Sequence, residues 1–179
     1  IHRTVSADTC VAISAAAAMV GVEVLDIPVS GQREEALRGE LVAIVGGDAA
    51  VLARALPVLQ SYSGLVRHMG PLGSGQNMKL VNNVLGFANG TIAIMAIEAA
   101  EALGLDPHSA MDVLCAGGAS SAALVSMVRK FMPDPTFCER ASGLMNKDTR
   151  LFSAFRERAG LARLPLEDLA LDRVKHIVP

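Results

Sequence analysis

The chain has 179 residues, 51% hydrophobic and 19% charged, with a formal net charge of −2, which supplies material for a large buried core. That balance excludes a disordered chain and a clustered basic surface for nucleic acid. An aromatic content of 3% with no Trp leaves no base-stacking platform either. The length suits one ordinary domain or two small lobes.

Small residues from Ala7 to Met19, with Asp8 near the start, predict a helix that Gly21 stops. Val22 to Val29 reads as a strand broken by Ser30-Gly31, and Arg33 to Arg38 as a short helical turn before Gly39. Leu41 to Val45 is a compact apolar run ending at Gly46-Gly47, a buried strand and its turn. Asp48 is placed to cap a helix through Leu59, and Leu65 to Met69 forms a further short strand. Helix and strand alternate in units short enough for α/β packing.

After Gly70 the character changes. Gly70, Pro71, Gly73 and Gly75 make a turn-rich hinge, followed by a long helical pattern from about Ser74 to Leu103. Met78, Val81, Leu85, Ala88, Ile92 and Met95 recur on one face. The neighbouring face is apolar too, so the helix is expected to be buried on most sides. Its stretch Val84 to Leu103 is long enough to span a membrane, but Asn89, Thr91, Glu98 and Glu101 within it favour a core helix, and no membrane partner is expected. Gly104 ends it, and Asp106-Pro107 starts the next helix. Ser120 to Phe131 and Gly143 to Gly160 read as further helices, and no strand signal returns. Cys10, Cys115 and Cys138 are too sparse for a disulfide framework and form no CxxC pair, so no metal is expected. Each reads as a small buried hydrophobe in a reduced, cytoplasmic setting.

Three segments carry polar groups where packing alone would not ask for them. The first is Asp26 to Gln32, at the carboxyl end of a predicted strand, where ligands sit in open α/β sheets. The N–H groups of its Ser30-Gly31 turn can hold a carboxylate; a plain strand-to-helix turn is the ordinary alternative. The second is Gly73 to Asn83. Lys79 and Asn83 are four residues apart and project from one helix face. The positive end of the helix dipole and partial burial both disfavour the ammonium form of Lys79, which suits it to exchange a proton with a substrate hydroxyl. Asn83 would hold that hydroxyl in line. A surface lysine is the ordinary alternative, which the Asn82-Asn83 pair in an otherwise apolar helix weakens. The third is Asn146-Lys147-Asp148, which by itself reads equally as an exposed charge pair.

Taken in order, Asp26 to Gly31, Val45 to Gly47, Gly73 to Asn83, Glu98 to Asp106 and Lys147-Asp148 resemble the β-hydroxyacid dehydrogenase family, of the 3-hydroxyisobutyrate type. The resemblance runs from about Thr4 to Pro165 and is most specific in the lysine motif. It implies that Lys79 is the catalytic acid/base, that Asn83 orients the substrate, and that Ser30 and Gly31 form the substrate-carboxylate turn, with Gln32 where relatives carry Gly. It further implies that Thr4 meets the nicotinamide end of NAD or NADP and that Lys147 lies beside the cofactor. The fold it implies is the second half of a Rossmann-like domain over residues 1–70, then an all-α substrate and dimerisation domain over 71–179, truncated at its end and entered by the long helix. The implied reaction is reversible oxidation of a short β-hydroxy acid to its semialdehyde or keto acid by a homodimer or higher homo-oligomer.

Arg3 stands where relatives offer Ser, and no G-x-G-x-x-G fingerprint follows an initial strand. Without an initiator Met or that fingerprint, on the order of 100 residues are expected before Ile1, by domain size, and residues 1–179 alone are expected to be inactive. The choice between NAD and NADP stays open, because the residue that reads the ribose would lie in that upstream part. A decarboxylating, 6-phosphogluconate-type relative would need a second acid where Gly86 stands, and a His where Asn82 stands. An imine-reducing cousin would lack Lys79. A non-catalytic helical dimerisation module is the remaining alternative.

Overall fold

The computed structural model describes the backbone of residues 1–126 and 135–177 and the side chains of 1–126 and 142–172. The chain forms two compact units, Ile1–Val81 and Asn82–Pro179.

The first unit opens with α1 (Ala7–Ala18), whose first turn is capped by the Ser6 hydroxyl accepting the Thr9 N–H at 3.1 Å. Then come β1 (Val29–Ser30), α2 (Arg33–Leu37), β2 (Leu41–Gly46), α3 (Ala49–Gln60) and β3 (Ser63–Gly70). Asp48 caps α3 as expected, its Oδ1 accepting from Ala50 N at 2.8 Å and Val51 N at 3.0 Å. In the sheet, β2 lies between an antiparallel β1 and a parallel β3. The β2–α3–β3 connection is thus an α/β unit, and Ala43, Ile44 and Val45 of its central strand are buried. Leu25, Ile27 and Leu59 join Ala43 and Val45 in the core; complete burial of each larger side chain contributes ~1.5–3 kcal/mol.

The expected strand over Val22–Val29 is reduced to Val29–Ser30 and an isolated bridge at Asp26. The backbone from Leu25 to Pro28 still bonds on both sides. Ile1 N donates to Leu25 O and Ile27 N to Ile1 O, both at 2.8 Å. On the β2 side, Gly46 N donates to Asp26 O at 2.8 Å and Ile44 N to Pro28 O at 3.0 Å. Pro28 has no N–H to return, so the ladder is interrupted there.

The second unit is helical. It holds most of α4 (Ser74–Ala102), then α5 (Pro107–Ala116), α6 (Ala122–Ser126), α7 (Pro135–Arg158) and α8 (Pro165–Ile177). The remainder of the helix expected over Ser120–Phe131, and Cys138 as a side chain, lie outside the described residues. Asp106 caps α5 by accepting the Ser109 N–H at 2.8 Å. The helix expected from Gly143 begins earlier, at Pro135; an interior glycine costs only ~1 kcal/mol against Ala, too little to interrupt a packed helix.

By length and composition α4 could cross a membrane. It is nonetheless packed as a core helix along one face: Val84, Ala88 and Thr91 are buried, and the Thr91 hydroxyl donates to the Leu169 carbonyl of α8 at 2.8 Å. The expectation of burial on most sides fails, because Met78, Leu85, Ile92 and Met95 are 39–51% exposed. Met78, Leu85 and Ile92, seven residues apart, form a seam within about 40° of one another around the helix, which the described residues leave part-exposed.

α7 and α8 are held by a buried carboxylate. Glu167 accepts from the Ser153 hydroxyl and from Leu164 N at 3.1 Å, and the Arg156 Nε lies 2.6 Å away. Burial pushes the Glu167 carboxyl up, but these partners outweigh it and leave the group below its ordinary value of 4.5. A carboxylate whose folded pKa is depressed contributes stability above its unfolded pKa that is lost as the pH falls through the folded value. Glu167→Gln should therefore cost roughly 3 kcal/mol at neutral pH by removing the buried partner of Arg156 and leaving it only the exposed Glu157 carboxylate. In urea unfolding the deficit against the parent should narrow below about pH 4.5; a deficit independent of pH would contradict this account.

Candidate functional site

Lys79 and Asn83 both lie on α4, whose start is anchored within the first unit. The turn before it uses Gly70 and Gly73 at φ of +125° and +93°, and its first N–H groups need acceptors. They find them in Asp26, contributed from the extended segment beside β2. One Asp26 oxygen accepts Gly73 N and the other Gln76 N, each at 2.7 Å, and the side chain is wholly buried. Asp26 is therefore consumed in fixing the helix and is not a ligand-facing group, contrary to the reading of Asp26 to Gln32 as one polar segment at a ligand crevice.

This arrangement allows no side chain at two positions. A Cβ on Gly46 would lie 2.3 Å from Asp26 Oδ1, and one on Gly75 would lie 2.5 Å from the Ile44 carbonyl oxygen. The end of β2 and the start of α4 thus meet backbone to backbone around one carboxylate. The same charge adds to burial in pushing the Cys10 thiol up to about 11, so Cys10 stays a protonated core residue at neutral pH.

Gln76 follows, with no solvent exposure. Its Oε1 accepts the Val5 N–H at 3.1 Å and its Nε2 donates to the Arg3 carbonyl at 3.0 Å. Those two peptide groups flank Thr4. Sequence reasoning quoted Gln76 within the lysine motif but gave it no role; an uncharged side chain able to donate and accept, in the first turns of a mostly apolar helix, was the available signal.

Lys79 stands at the next turn of α4, partly buried. One turn beyond, where the second unit begins, the Asn83 amide is held at both ends. Its Nδ2 donates to Asp148 Oδ2 at 2.7 Å, and its Oδ1 accepts from Asn82 Nδ2 at 3.2 Å. Asp148 is buried, and Lys147 Nζ lies 2.9 Å from its other oxygen. The Lys147-Asp148 pair is therefore not the exposed charge pair that its sequence alone allowed: the carboxylate is interior and orients Asn83, while the Lys147 side chain is 41% exposed.

The Ser30–Gln32 turn ends β1 and begins α2. Gly31 has a φ of +124°, and a Cβ there would meet Leu41 Cδ2 at 2.6 Å, so both conformation and space call for glycine. The Gln32 N–H is already taken by the Glu35 carboxylate at 2.8 Å. The bonds described thus form two groups: Gln76 ties Thr4 to the helix of Lys79, and Asp148 ties Asn83 to Lys147. Among the described residues no cluster of three His, Cys, Asp or Glu is placed to hold a metal ion.

Residues 73–176 match the family described as NAD-binding of NADP-dependent 3-hydroxyisobutyrate dehydrogenase, and residues 2–70 match the NAD binding domain of 6-phosphogluconate dehydrogenase. An uncharacterised oxidoreductase of Synechocystis is 40% identical over 84% of this chain and 51% of its own length. The 3-hydroxyisobutyrate dehydrogenase of Pseudomonas aeruginosa is 36% identical over 93% of this chain and 58% of its own. The 3-hydroxyisobutyrate dehydrogenase of Mycobacterium tuberculosis, solved with L-serine, superposes with a TM-score of 0.75 at 32% identity, covering 98% of this chain and 62% of that one. The chain spans between 51% and 61% of the length of three curated relatives that it matches.

Asp26→Asn tests the anchor. Its amide can accept only one of the two N–H groups and turns a donor toward the other. A loss of roughly 2–3 kcal/mol is expected, the range for bonds to a charged group. Urea unfolding measures it; a variant as stable as the parent would refute the capping role.

Proposed function

The chain belongs to the β-hydroxyacid dehydrogenase family, of the 3-hydroxyisobutyrate type, and on that footing we propose that it is the larger part of an NAD- or NADP-dependent oxidoreductase acting on a short β-hydroxy acid. The reaction is reversible oxidation to the semialdehyde or keto acid. The observation that carries this reading is a partly buried lysine, Lys79, one helical turn from an amide, Asn83, whose orientation a buried carboxylate fixes.

Nicotinamide cofactors are what both matched domains bind; when bound, the cofactor supplies the hydride acceptor. A hydroxyl at Thr4 and an ammonium at Lys147 are donors of the kind such a cofactor takes, for its carboxamide and phosphate groups. The chain's own residues do the rest. Lys79 Nζ takes the proton of the substrate hydroxyl and returns it in the reverse direction. Asn83 hydrogen-bonds that hydroxyl, since the bonds to Asp148 and Asn82 use one N–H and one lone pair and its amide carries two of each. Ser30 and Gly31 hold the acid group through backbone N–H donors. Gln32 narrows the pocket relative to Gly, and its own N–H serves Glu35 instead. L-serine, found with the mycobacterial relative, joins a carboxylate to a β-hydroxyl and is a ligand of the class proposed. Gly86 and Asn82 set the chain apart from decarboxylating enzymes, which need an acid and a His at those positions. The free thiols Cys10 and Cys115 suit the reducing cytoplasm where we place it.

Changing Lys79 to Ala in protein carrying the complete dinucleotide-binding domain should lower kcat by about 10²- to 10⁴-fold with cofactor affinity near normal. Lys79→Arg should restore little, because guanidinium does not release its proton. Lys147→Ala should instead weaken cofactor binding. A Lys79→Ala variant keeping more than about a third of kcat would remove the lysine from the chemistry.

We also propose a homodimer or higher homo-oligomer, formed over the seam of Met78, Leu85 and Ile92. These side chains leave a row of apolar surface along α4 that a second copy would cover. Sedimentation should give at least twice the chain mass, and Leu85→Glu with Ile92→Glu should return it to one; a monomeric parent would overturn the assignment.

A further inference from the structure

We infer that Gln76 is the positioning residue that sets Thr4 against Lys79, by clamping both peptide groups around Thr4 to the helix that carries the lysine. The inference rests on the reading of Thr4 as a cofactor contact and adds what holds it in place.

The geometry is specific. The Arg3 carbonyl and the Val5 N–H belong to the peptide planes on either side of Thr4, and one carboxamide bonds both, at 3.0 Å and 3.1 Å. With both planes held, φ and ψ of residue 4 are fixed, and the Thr4 hydroxyl is left only its χ1 rotamers. The clamp is itself rigid. The Gln76 side chain has no exposure, and its backbone N–H is locked to buried Asp26 at 2.7 Å. From Gln76 to Lys79 is three residues along one helix, about 4.5 Å of rise at the standard spacing. Thr4 and Lys79 therefore take their positions from the same short piece of backbone.

The residue type follows from the task. The two flanking groups are one donor and one acceptor, so the clamp must accept and donate at once, and a neutral primary amide does both in one plane. Glu would keep the Val5 bond but set a carboxylate against the Arg3 carbonyl, with the Asp26 charge close by. Met would fill the volume and make neither bond. Because the hydride leaves the carbinol carbon while the proton leaves its hydroxyl oxygen, cofactor and lysine must be held in register, and a displacement of Thr4 by about 1 Å can cost about 10²-fold in rate.

The test is a double-mutant cycle in the active, full-length protein, using Thr4→Ala, Gln76→Met and their combination. The readouts are kcat per titrated site, cofactor Kd from reduced-nicotinamide fluorescence, and the primary deuterium isotope effect on substrate oxidation. We expect Thr4→Ala and Gln76→Met each to lower kcat by about 10- to 100-fold with an altered isotope effect, and the double variant to be no worse than the poorer single one. Fully additive losses, or a Gln76→Met enzyme with parental kcat and isotope effect per folded site, would overturn the inference while leaving the role of Thr4 standing. A silent Thr4→Ala would overturn the reading of Thr4 and this inference together, whatever Gln76→Met does. Should Gln76→Met fail to fold, Gln76→Glu decides on the same readouts, since it keeps the Val5 bond and loses only the donor to Arg3.

Discussion

Asp26 sets a carboxylate with no solvent exposure against the first turn of α4, and its two oxygens take the Gly73 and Gln76 N–H groups at 2.7 Å each. A charge so deeply placed is tolerable only if its bonds replace water, and the helix N-terminus supplies both N–H donors and a positive dipole end. The consequences spread outward. The carboxylate can reach the helix only where β2 and α4 carry no side chains, hence Gly46 and Gly75. The helix direction fixed there places Gln76 over residues 3–5 and Lys79 a turn later. The candidate chemistry thus depends on an acid that takes no part in it.

Each of the three buried carboxylates among the described residues solves the same problem differently. Asp26 uses backbone N–H groups alone. Asp148 pairs with a side-chain amide and the neighbouring ammonium, which turns a charge into a device for orienting Asn83. Glu167 combines a hydroxyl, a backbone N–H and a guanidinium, and ties α7 to α8. Removing any one partner strands a charge in a dry interior, so such sites specify geometry more than they add stability.

The long helix divides its labour by face. Leu80, Val84, Ala88 and Thr91 are buried, whereas Met78, Leu85 and Ile92, seven residues apart, stay exposed to solvent. Seven-residue spacing keeps a row nearly in line along a helix. The polar residues of the candidate site on this helix, Gln76, Lys79 and Asn83, are confined to its first turns. The apolar character that makes α4 resemble a membrane span by composition is then the sum of a packed face and a part-exposed apolar row.

Much of this was legible in the residues. Alternating short elements before Gly70 and unbroken helical periodicity after it determine an α/β part followed by a helical one, because hydrophobic period and glycine placement act locally. The caps at Asp48 and Asp106 were readable for the same reason, and the order of motifs around Lys79 identified the family. Other features depend on partners distant in sequence. That Asp26 serves a helix 47 residues on, that Gln76 clamps a segment 73 residues back, and that Asp148 is buried against Asn83 rather than paired in solvent cannot be read from spacing. Nor could the seam on α4: Met78, Leu85 and Ile92 look like core residues by periodicity, since an apolar side chain reads the same whether its own chain covers it or not. Local sequence determined which elements form; tertiary structure decided which polar groups meet and which apolar ones are left uncovered, because burial and hydrogen-bond partnership are properties of chain segments brought together only by folding.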